Sequence, residues 1–309
     1  MSHGIHHVTA ISGPARRNLD FHTRVLGQRL VKRTVNFDDP GTYHLYYGDA
    51  AGTPGSILTF FPWDGAAPGR LGAGETAETS FRVPSTSLPY WMDRLKTAGV
   101  AAENAAPRFG EPVVTFTDPD GMRFALVGVS DVTNEPAWTG SDVPAEHAIR
   151  GFHGVTLLLR DTGPTADILT DVLGFEAAGR DENVFRFVAP GATAGRVVDL
   201  RAEPTMPRGR QGTGSVHHVA FRAADDAAQA AMVRKLVEDH GLATTEQKDR
   251  NYFRSVYLRE PGGVIFEIAT DVPGFAVDEA ESTLGQALKL PAFLEPHRAK
   301  IEATLPELV

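Results

Sequence analysis

A frame of two histidines followed by a valine occurs twice in this chain, and it constrains the fold more than any other feature. The first copy, GIHHVTAI, contains His6 and His7, and the second, GSVHHVAF, contains His217 and His218. Both stretches are typical of β-strands. Because a histidine pair is unusual in a strand, two pairs in matching contexts predict a repeated structural unit.

The sequence around these frames predicts four copies of a β-α-β-β-β module. One copy runs from GIHHVTAI through the helical stretch GPARRNLDFHTRVLG into three strand-like runs. Another begins at GFHGVTLLLRD, and its helix ends in the same VLG. Two shorter copies, beginning at ETAETSFRV and SVHHVAFRA, share a turn of Pro and Gly before their last strand. The chain is therefore expected to be an α+β protein of four βαβββ modules.

These modules divide the chain into two domains, a linker and a tail. The predicted segments are 1–130 for an N-terminal domain of two modules, 131–149 for the linker, 150–272 for a C-terminal domain of two modules, and 273–309 for the tail. The linker is polar and contains prolines, as connecting segments do. The tail is expected to form a short helix, with Phe293, Leu294 and Ile301 packed on the body.

Composition limits the kinds of partner and site. The formal net charge is −9 with acids and bases interspersed, so no basic patch indicates nucleic acid. The chain has no cysteine, so a metal site must use His, Asp, Glu or water. No apolar run has the length of a membrane span, and the N-terminus lacks the pattern of a signal peptide. These observations predict a soluble, cytoplasmic protein without membrane contact.

Comparison of the four modules with one another indicates a metal site. The residues placed at the position of His7 are His218, Thr79 and Gly154, and those placed at the position of Glu267 are Ala125 and Phe60. Two imidazoles and one carboxylate form the facial triad that suits non-heme Fe(II). A glutamate among the apolar residues of VIFEIA is costly to bury unless it is paired or binds a metal. Neighbouring strand residues point to opposite faces, so only one histidine of each pair can face the metal.

HHVTAI, VHHVAF, VIFEIATD and the tail sequence resemble the vicinal oxygen chelate superfamily, which includes glyoxalases, bleomycin resistance proteins and extradiol dioxygenases. The chain is most similar, over essentially its full length, to ring-cleaving dioxygenases that act on hydroquinones. This resemblance implies modules paired into two barrel-like cups, the glyoxalase/extradiol dioxygenase fold. It implies Fe(II), or Mn(II) in its place, on the second histidine of each pair, His7 and His218, with Glu267. It also implies site residues around the metal: Tyr257, Arg250, Thr9, His6 and His217.

Strand geometry agrees with part of this set. Tyr257 precedes Glu267 on the neighbouring strand of a hairpin, and Thr9 faces the same side as His7. Arg250 could pair with a phenolate or a developing anion. Alternation places His6 and His217 on the opposite face, so they are expected to reach the site through strand twist or a relay.

Other candidates have ordinary interpretations. His22, His240 and His297 are expected to be solvated or to cap helices, and His44 has no identifiable partner. An aromatic wall for a ring substrate could include Phe60, Phe61 and Trp63, but core packing is favoured for them.

Three functions fit these features. The first is an Fe(II)-dependent, extradiol-type ring-cleaving dioxygenase that inserts O2 into a hydroquinone-type or catechol-type diol. The second is a glyoxalase-like isomerase or lyase, which usually takes four protein ligands in this fold; a phenylalanine at the fourth position disfavours it. The third is a metal-free binding protein. Homo-oligomers are common in this fold, so a homo-oligomer is a candidate state, which the sequence does not fix.

The third module has glycine where a ligand should stand, which predicts how the modules pair. Gly154 cannot coordinate, and His153 should point away by strand alternation. The first module is therefore expected to pair with the fourth and to form the metal site. The second and third modules should form another cup without a metal.

Overall fold

Two eight-stranded mixed sheets build the protein in a computed structural model, which describes residues 4–308. The strands are β1 (Ile5–Ser12), β2 (Arg29–Asn36), β3 (Asp39–Gly48), β4 (Ile57–Pro62), β5 (Glu75–Pro84), β6 (Ala102–Arg108), β7 (Glu111–Thr117), β8 (Arg123–Val129), β9 (Phe152–Leu159), β10 (Glu176–Asp181), β11 (Val184–Val188), β12 (Val197–Ala202), β13 (Ser215–Ala223), β14 (Lys248–Asp249), β15 (Arg254–Arg259) and β16 (Ile265–Thr270). The α-helices are α1 (Ala15–Asp20), α2 (Leu88–Thr97), α3 (Gly163–Asp167), α4 (Asp226–Glu238) and α5 (Arg298–Thr304).

The sheets join modules that are distant in sequence. One sheet has the order β14-β15-β16-β13-β1-β4-β3-β2, and we call it cup one. The other has the order β10-β11-β12-β9-β5-β8-β7-β6, and we call it cup two. In each sheet, a central antiparallel strand pair joins two modules: β1 pairs with β13, and β5 pairs with β9. The predicted pairing of the first module with the fourth, and of the second with the third, is therefore confirmed, as is the fold class.

Both modules that carry the VLG motif end their helix in the same way. A π-helical turn follows α1 at Phe21–Val25 and α3 at Ile168–Val172. Such a turn inserts one residue and changes which face points inward. This explains why the expectation of a solvated or capping His22 is wrong. Its side chain is fully buried, stacks on Tyr47 and makes a 3.0 Å hydrogen bond between its Nδ1 and Gln28 Oε1.

The tail packs against cup one and forms ion pairs with it. Lys32 is completely buried, and its Nζ lies 2.7 Å from Asp278 Oδ1 and 2.8 Å from Glu279 Oε2. Leu294 and Ile301 are buried as expected. Phe293 is 62% exposed, but its ring contacts the ring of Phe37 on the body, with the centroids 6.0 Å apart.

The described residues contain no helix that is long and apolar enough to cross a membrane. Residues 131–149 form neither a helix nor a strand.

Candidate metal centre

Three ligand-type side chains converge on one point in cup one. Oε2 of Glu267 lies 2.9 Å from Nε2 of His218 and 3.3 Å from Nε2 of His7. The two Nε2 atoms lie 3.4 Å apart. All three side chains are buried, and within residues 4–308 they form the one cluster of its kind that could hold a metal ion.

Sheet register brings these residues together from opposite ends of the chain. On the central pair of strands, Thr9 of β1 lies opposite His218 of β13. On the next pair, Ala220 of β13 lies beside Glu267 of β16. His7 and Thr9 are two residues apart, so they share a face. Folding of the sheet is therefore enough to assemble the cluster.

The donor set fits a first-row divalent metal. Ligands at about 2.1 Å from a metal and at right angles to one another lie about 3 Å apart, close to the separations seen here. Although two Nε2 atoms lie within 3.3 Å of it, Oε2 of Glu267 makes no hydrogen bond, and a fully buried carboxylate oxygen without one is costly. Burial opposes ionisation of Glu267, but His7 and His218 outweigh it and lower its pKa well below the usual range. An ionised carboxylate facing two imidazoles is what a divalent cation requires.

Each of these histidines is held by the histidine that precedes it. The distance between the two Nδ1 atoms is 2.9 Å for His6 and His7, and 2.8 Å for His217 and His218. Coordination through Nε2 requires a ring that carries its proton on Nδ1, so the preceding histidine must accept with its own Nδ1. Burial and the neighbouring His218 lower the pKa of His217 to about 3, which keeps it neutral.

Tyr257 and Arg250 line the cavity beside the cluster. Tyr257 lies directly opposite Glu267 in the sheet, and its ring centroid is 5.6 Å from that of His218. Arg250 donates from Nε to the Tyr257 hydroxyl at 3.3 Å and from Nη2 to Asp38 Oδ2 at 3.0 Å. Burial and the charge of Glu267 raise the pKa of Tyr257 well above its usual value, so its hydroxyl keeps its proton.

The cavity has the size of one aromatic ring. Its volume is about 160 Å³, similar to an engineered cavity of about 150 Å³ that binds benzene. Phe37, Phe61, Trp63 and Phe253 contribute apolar surface to its wall. The expected core packing is confirmed for Phe60, which is fully buried, and is wrong for Phe61 and Trp63, which line the cavity. A groove of about 680 Å³ lies elsewhere, near Arg82 and Arg150, and does not reach the cluster.

Two of the residue equivalences expected from the sequence are wrong by one position. Thr9 pairs with Thr59 in β4, so Thr59 and not Phe60 stands at the position of Glu267 in the first module. Ser80 pairs with Ala125 just as Ala220 pairs with Glu267. The equivalent of His218 in the second module, two residues before Ser80, is therefore Glu78 and not Thr79. Spacing along one strand does not fix which residues are equivalent, because equivalence is set by the register between paired strands.

Sequence reasoning missed His44, Tyr46 and Ser255. His44 bonds to Thr59 and Tyr46 in the cavity wall, and Ser255 donates to Glu267 Oε1 at 2.5 Å. Tyr46 pairs with Thr59 just as Tyr257 pairs with Glu267, so an alignment of these hairpins would have found it. The longer hairpin loop in the first module hides that match.

Comparison with known proteins places this geometry in a family. The family model "Glyoxalase/Bleomycin resistance protein/Dioxygenase superfamily" matches residues 4–126 and 151–268. "Putative ring-cleaving dioxygenase MhqO" of Bacillus subtilis (strain 168) is 46% identical over 302 residues, which cover 98% of this chain and 95% of that protein. "Chlorohydroquinone/hydroquinone 1,2-dioxygenase" of Sphingobium indicum is 34% identical over 310 residues, which cover 98% and 95%.

Solved structures with the same fold include members of this family. A crystal structure named as a dioxygenase from Bacillus subtilis subsp. subtilis str. 168 has a TM-score of 0.94 at 45% identity, covering 100% of this chain and 98% of that one. Glyoxalase I from Zea mays has a TM-score of 0.66 at 13% identity, covering 87% and 92%, and this similarity concerns the fold alone.

Proposed function

Because the chain belongs to the glyoxalase/bleomycin resistance protein/dioxygenase superfamily, we propose that it is an Fe(II)-dependent, extradiol-type ring-cleaving dioxygenase. Its substrates are O2 and an aromatic diol of the hydroquinone or catechol type. His7, His218 and Glu267 hold the metal, and Mn(II) is an alternative ion. The convergence of two Nε2 atoms on an orphaned, buried carboxylate oxygen carries this proposal.

A bound Fe(II) would supply coordination positions for the diol and for O2, and a path for electrons between them. The remaining contributions come from the chain. The aromatic wall around a cavity of about 160 Å³ binds and orients one ring and excludes water from it. A cavity of this size favours a single ring with small substituents.

Tyr257 is positioned to donate a proton or a hydrogen bond. The Tyr257 oxygen accepts a hydrogen bond from Arg250 Nε, so the hydroxyl hydrogen of Tyr257 is available to an oxygen atom of the diol or of O2. The cationic guanidinium favours negative charge that develops at the same place. Asp38 fixes that guanidinium from the other side. His6 and His217 hold the ligand imidazoles in the tautomer that coordination needs.

An isomerase or lyase of the glyoxalase type is the second candidate, and one observation disfavours it. The position of a fourth protein ligand is taken by Thr59, whose hydroxyl is already bonded to His44 and Thr9. A neutral, bonded hydroxyl is a poor metal ligand, so three protein ligands leave the remaining positions to diol and O2. Cytoplasmic location and homo-oligomerisation stay predictions.

Anaerobic reconstitution tests the function. The protein is loaded with Fe(II) or Mn(II) without oxygen, and O2 consumption is followed with a panel of hydroquinones and catechols. We expect O2 uptake that requires both metal and diol, with a ring-opened product in equal amount. Turnover of a glyoxalase-type substrate without O2 uptake would support the second candidate instead.

A further inference from the structure

Cup one contains a chain of hydrogen bonds that the triad does not use. The Tyr46 hydroxyl lies 2.8 Å from Nδ1 of His44, and Nε2 of His44 lies 2.8 Å from Oγ1 of Thr59. Thr59 donates in turn to Oγ1 of Thr9 at 2.9 Å. Tyr46, Thr59 and Thr9 are buried, while His44 is half-buried in the cavity wall. We call these four residues the His44 chain.

The His44 chain lies in the first module at the positions equivalent to those of the hairpin that carries Glu267 in the fourth module. Tyr46 lies opposite Thr59 in β3 and β4, as Tyr257 lies opposite Glu267 in β15 and β16. Two residues before each tyrosine stand His44 and Ser255, and each bonds to the residue at the ligand position. Where the fourth module presents a carboxylate to the cluster, the first module therefore presents a short hydroxyl. The coordination position on that side has no protein ligand.

The direction of the bonds leaves one donor at the end of the chain. Burial and the neighbouring His7 lower the pKa of His44 well below its usual value, so the ring has one N–H and one lone pair. Because Thr59 gives its hydrogen to Thr9, its oxygen accepts from Nε2–H of His44. Nδ1 of His44 then accepts from the Tyr46 hydroxyl. The hydroxyl hydrogen of Thr9 is left over, on the strand face that it shares with His7.

We propose that His44 is a positioning residue that fixes the hydroxyls of Thr59 and Thr9, so that a hydrogen-bond donor faces the coordination position left open by the absent fourth ligand. The donor binds an anionic oxygen atom placed there, from the diol or from dioxygen. This inference deepens the proposed function and rests on it. A residue that only fills the core would act through its ring and not through Nε2–H.

Two substitutions separate these roles. His44→Phe keeps the aromatic contacts with Phe61 and Tyr46, whose ring centroids lie 4.3 and 4.1 Å away, but it removes the bond to Thr59. His44→Gln loses the ring but can still donate an amide N–H to Thr59. His22→Phe is the matched control, since His22 is another buried, stacked and hydrogen-bonded imidazole of cup one, outside the cavity.

The measurements are the Kd of hydroquinone for the anaerobic Fe(II) protein and the KM for O2. A hydrogen bond to a charged atom predicts that His44→Phe weakens one of them about tenfold or more, with a smaller effect on kcat. His44→Gln should largely restore it, and His22→Phe should leave both unchanged. A change in Kd assigns the oxygen to the diol, and a change in KM assigns it to dioxygen. Two unchanged constants, or a Gln variant no better than the Phe variant, overturn the proposal.

The tautomer of His44 in the metal-free protein gives a readout independent of turnover. Nitrogen-15 NMR should find a neutral His44 ring that is protonated on Nε2. The signal of His44 is assigned by its loss in His44→Gln. A ring protonated on Nδ1, or a cation at pH 7, overturns the proposal. Wild-type protein that turns over no diol contradicts the proposed function instead, and the Nε2–H tautomer is then still required for the His44 chain.

Discussion

The two cups share one backbone plan but hold different chemistry at the same positions. Strand register makes the following residues equivalent, with cup one first: His7 and Gly154, His218 and Glu78, Glu267 and Ala125, Thr59 and Asp199, Tyr257 and Thr115, Tyr46 and Arg186. Cup one gathers a carboxylate and two imidazoles. Cup two gathers two carboxylates and supplies their cations from its own side chains.

Because of those internal cations, we expect no metal in cup two. Arg186 binds Asp199 with two hydrogen bonds of 2.8 Å, and Arg108 binds Glu78 through both carboxylate oxygens. A side chain at Gly154 is excluded as well, because its Cβ would lie 2.1 Å from the carbonyl oxygen of Val197. The comparison teaches that the fold provides two equivalent frames, and that a few side chains decide which one gathers the residue types of a metal site.

The largest expected effect separates Glu267 of cup one from Glu78 of cup two. Glu267→Gln keeps the shape but removes the charge that a divalent cation needs, so Fe(II) binding and turnover should be lost. Glu78→Gln, at the position of cup two equivalent to His218, should leave the metal content unchanged. Metal analysis after gel filtration measures both. Retained iron in Glu267→Gln would remove this residue from the ligand set.

For stability, the larger effect is expected from a residue of cup two, Asp199. Asp199→Asn weakens one partner of the buried Arg186 guanidinium, which keeps its 2.6 Å bond to Glu111 Oε2, so we expect a loss of about 2 kcal/mol, the order of one hydrogen bond to a charged group. Chemical denaturation of the metal-free protein should show this loss of unfolding free energy, while metal affinity stays at the wild-type value. An equal loss of metal affinity would show that the cups are coupled rather than independent.

Tyr257 and Thr115 extend the comparison to catalysis. Tyr257→Phe removes a proton donor from the cavity and should lower kcat about a hundredfold, with metal content and stability nearly unchanged. Thr115→Val, at the equivalent position of cup two, should leave kcat as it is. Steady-state O2 uptake gives both values. If kcat stays within a factor of two in Tyr257→Phe, the tyrosine only packs.

The smallest effect concerns His6, which precedes His7, and His153, which precedes the equivalent Gly154. His6→Phe removes the partner of His7 Nδ1 and should weaken Fe(II) binding roughly tenfold to a hundredfold. His153 holds the equivalent place in cup two, where its Nε2 lies 3.1 Å from Glu111 Oε1. His153→Phe should not change Fe(II) affinity. Competition with a chelator measures both variants, and equal affinities would assign His6 to packing.

The sequence predicted the modules, their pairing and the convergence of the three ligand-type residues because each depends on pattern and repetition. The HHV frame and VIFEIA lie in strands, where a period of two residues fixes the face. Gly154 excluded the third module by chemistry alone. The resemblance to known dioxygenases selected the second histidine of each pair, a choice that alternation had left open.

The remaining features depend on register and on local irregularity. A shift of one residue moved the expected equivalents to Phe60 and Thr79, because register is set by pairing across strands and not by spacing along one. The π-helical turn that buries His22 inserts a residue that the periodicity of an α-helix does not predict. His44 is recognisable only when Thr59 is seen beside it.

Anomalous diffraction at the iron edge, on crystals reconstituted with Fe(II) without oxygen, tests the central claim most directly. The account predicts one strong peak per chain, bound by Nε2 of His7, Nε2 of His218 and a carboxylate oxygen of Glu267, with no peak in cup two. A peak beside Glu78 and Asp199, or two peaks of similar height in each chain, would contradict it.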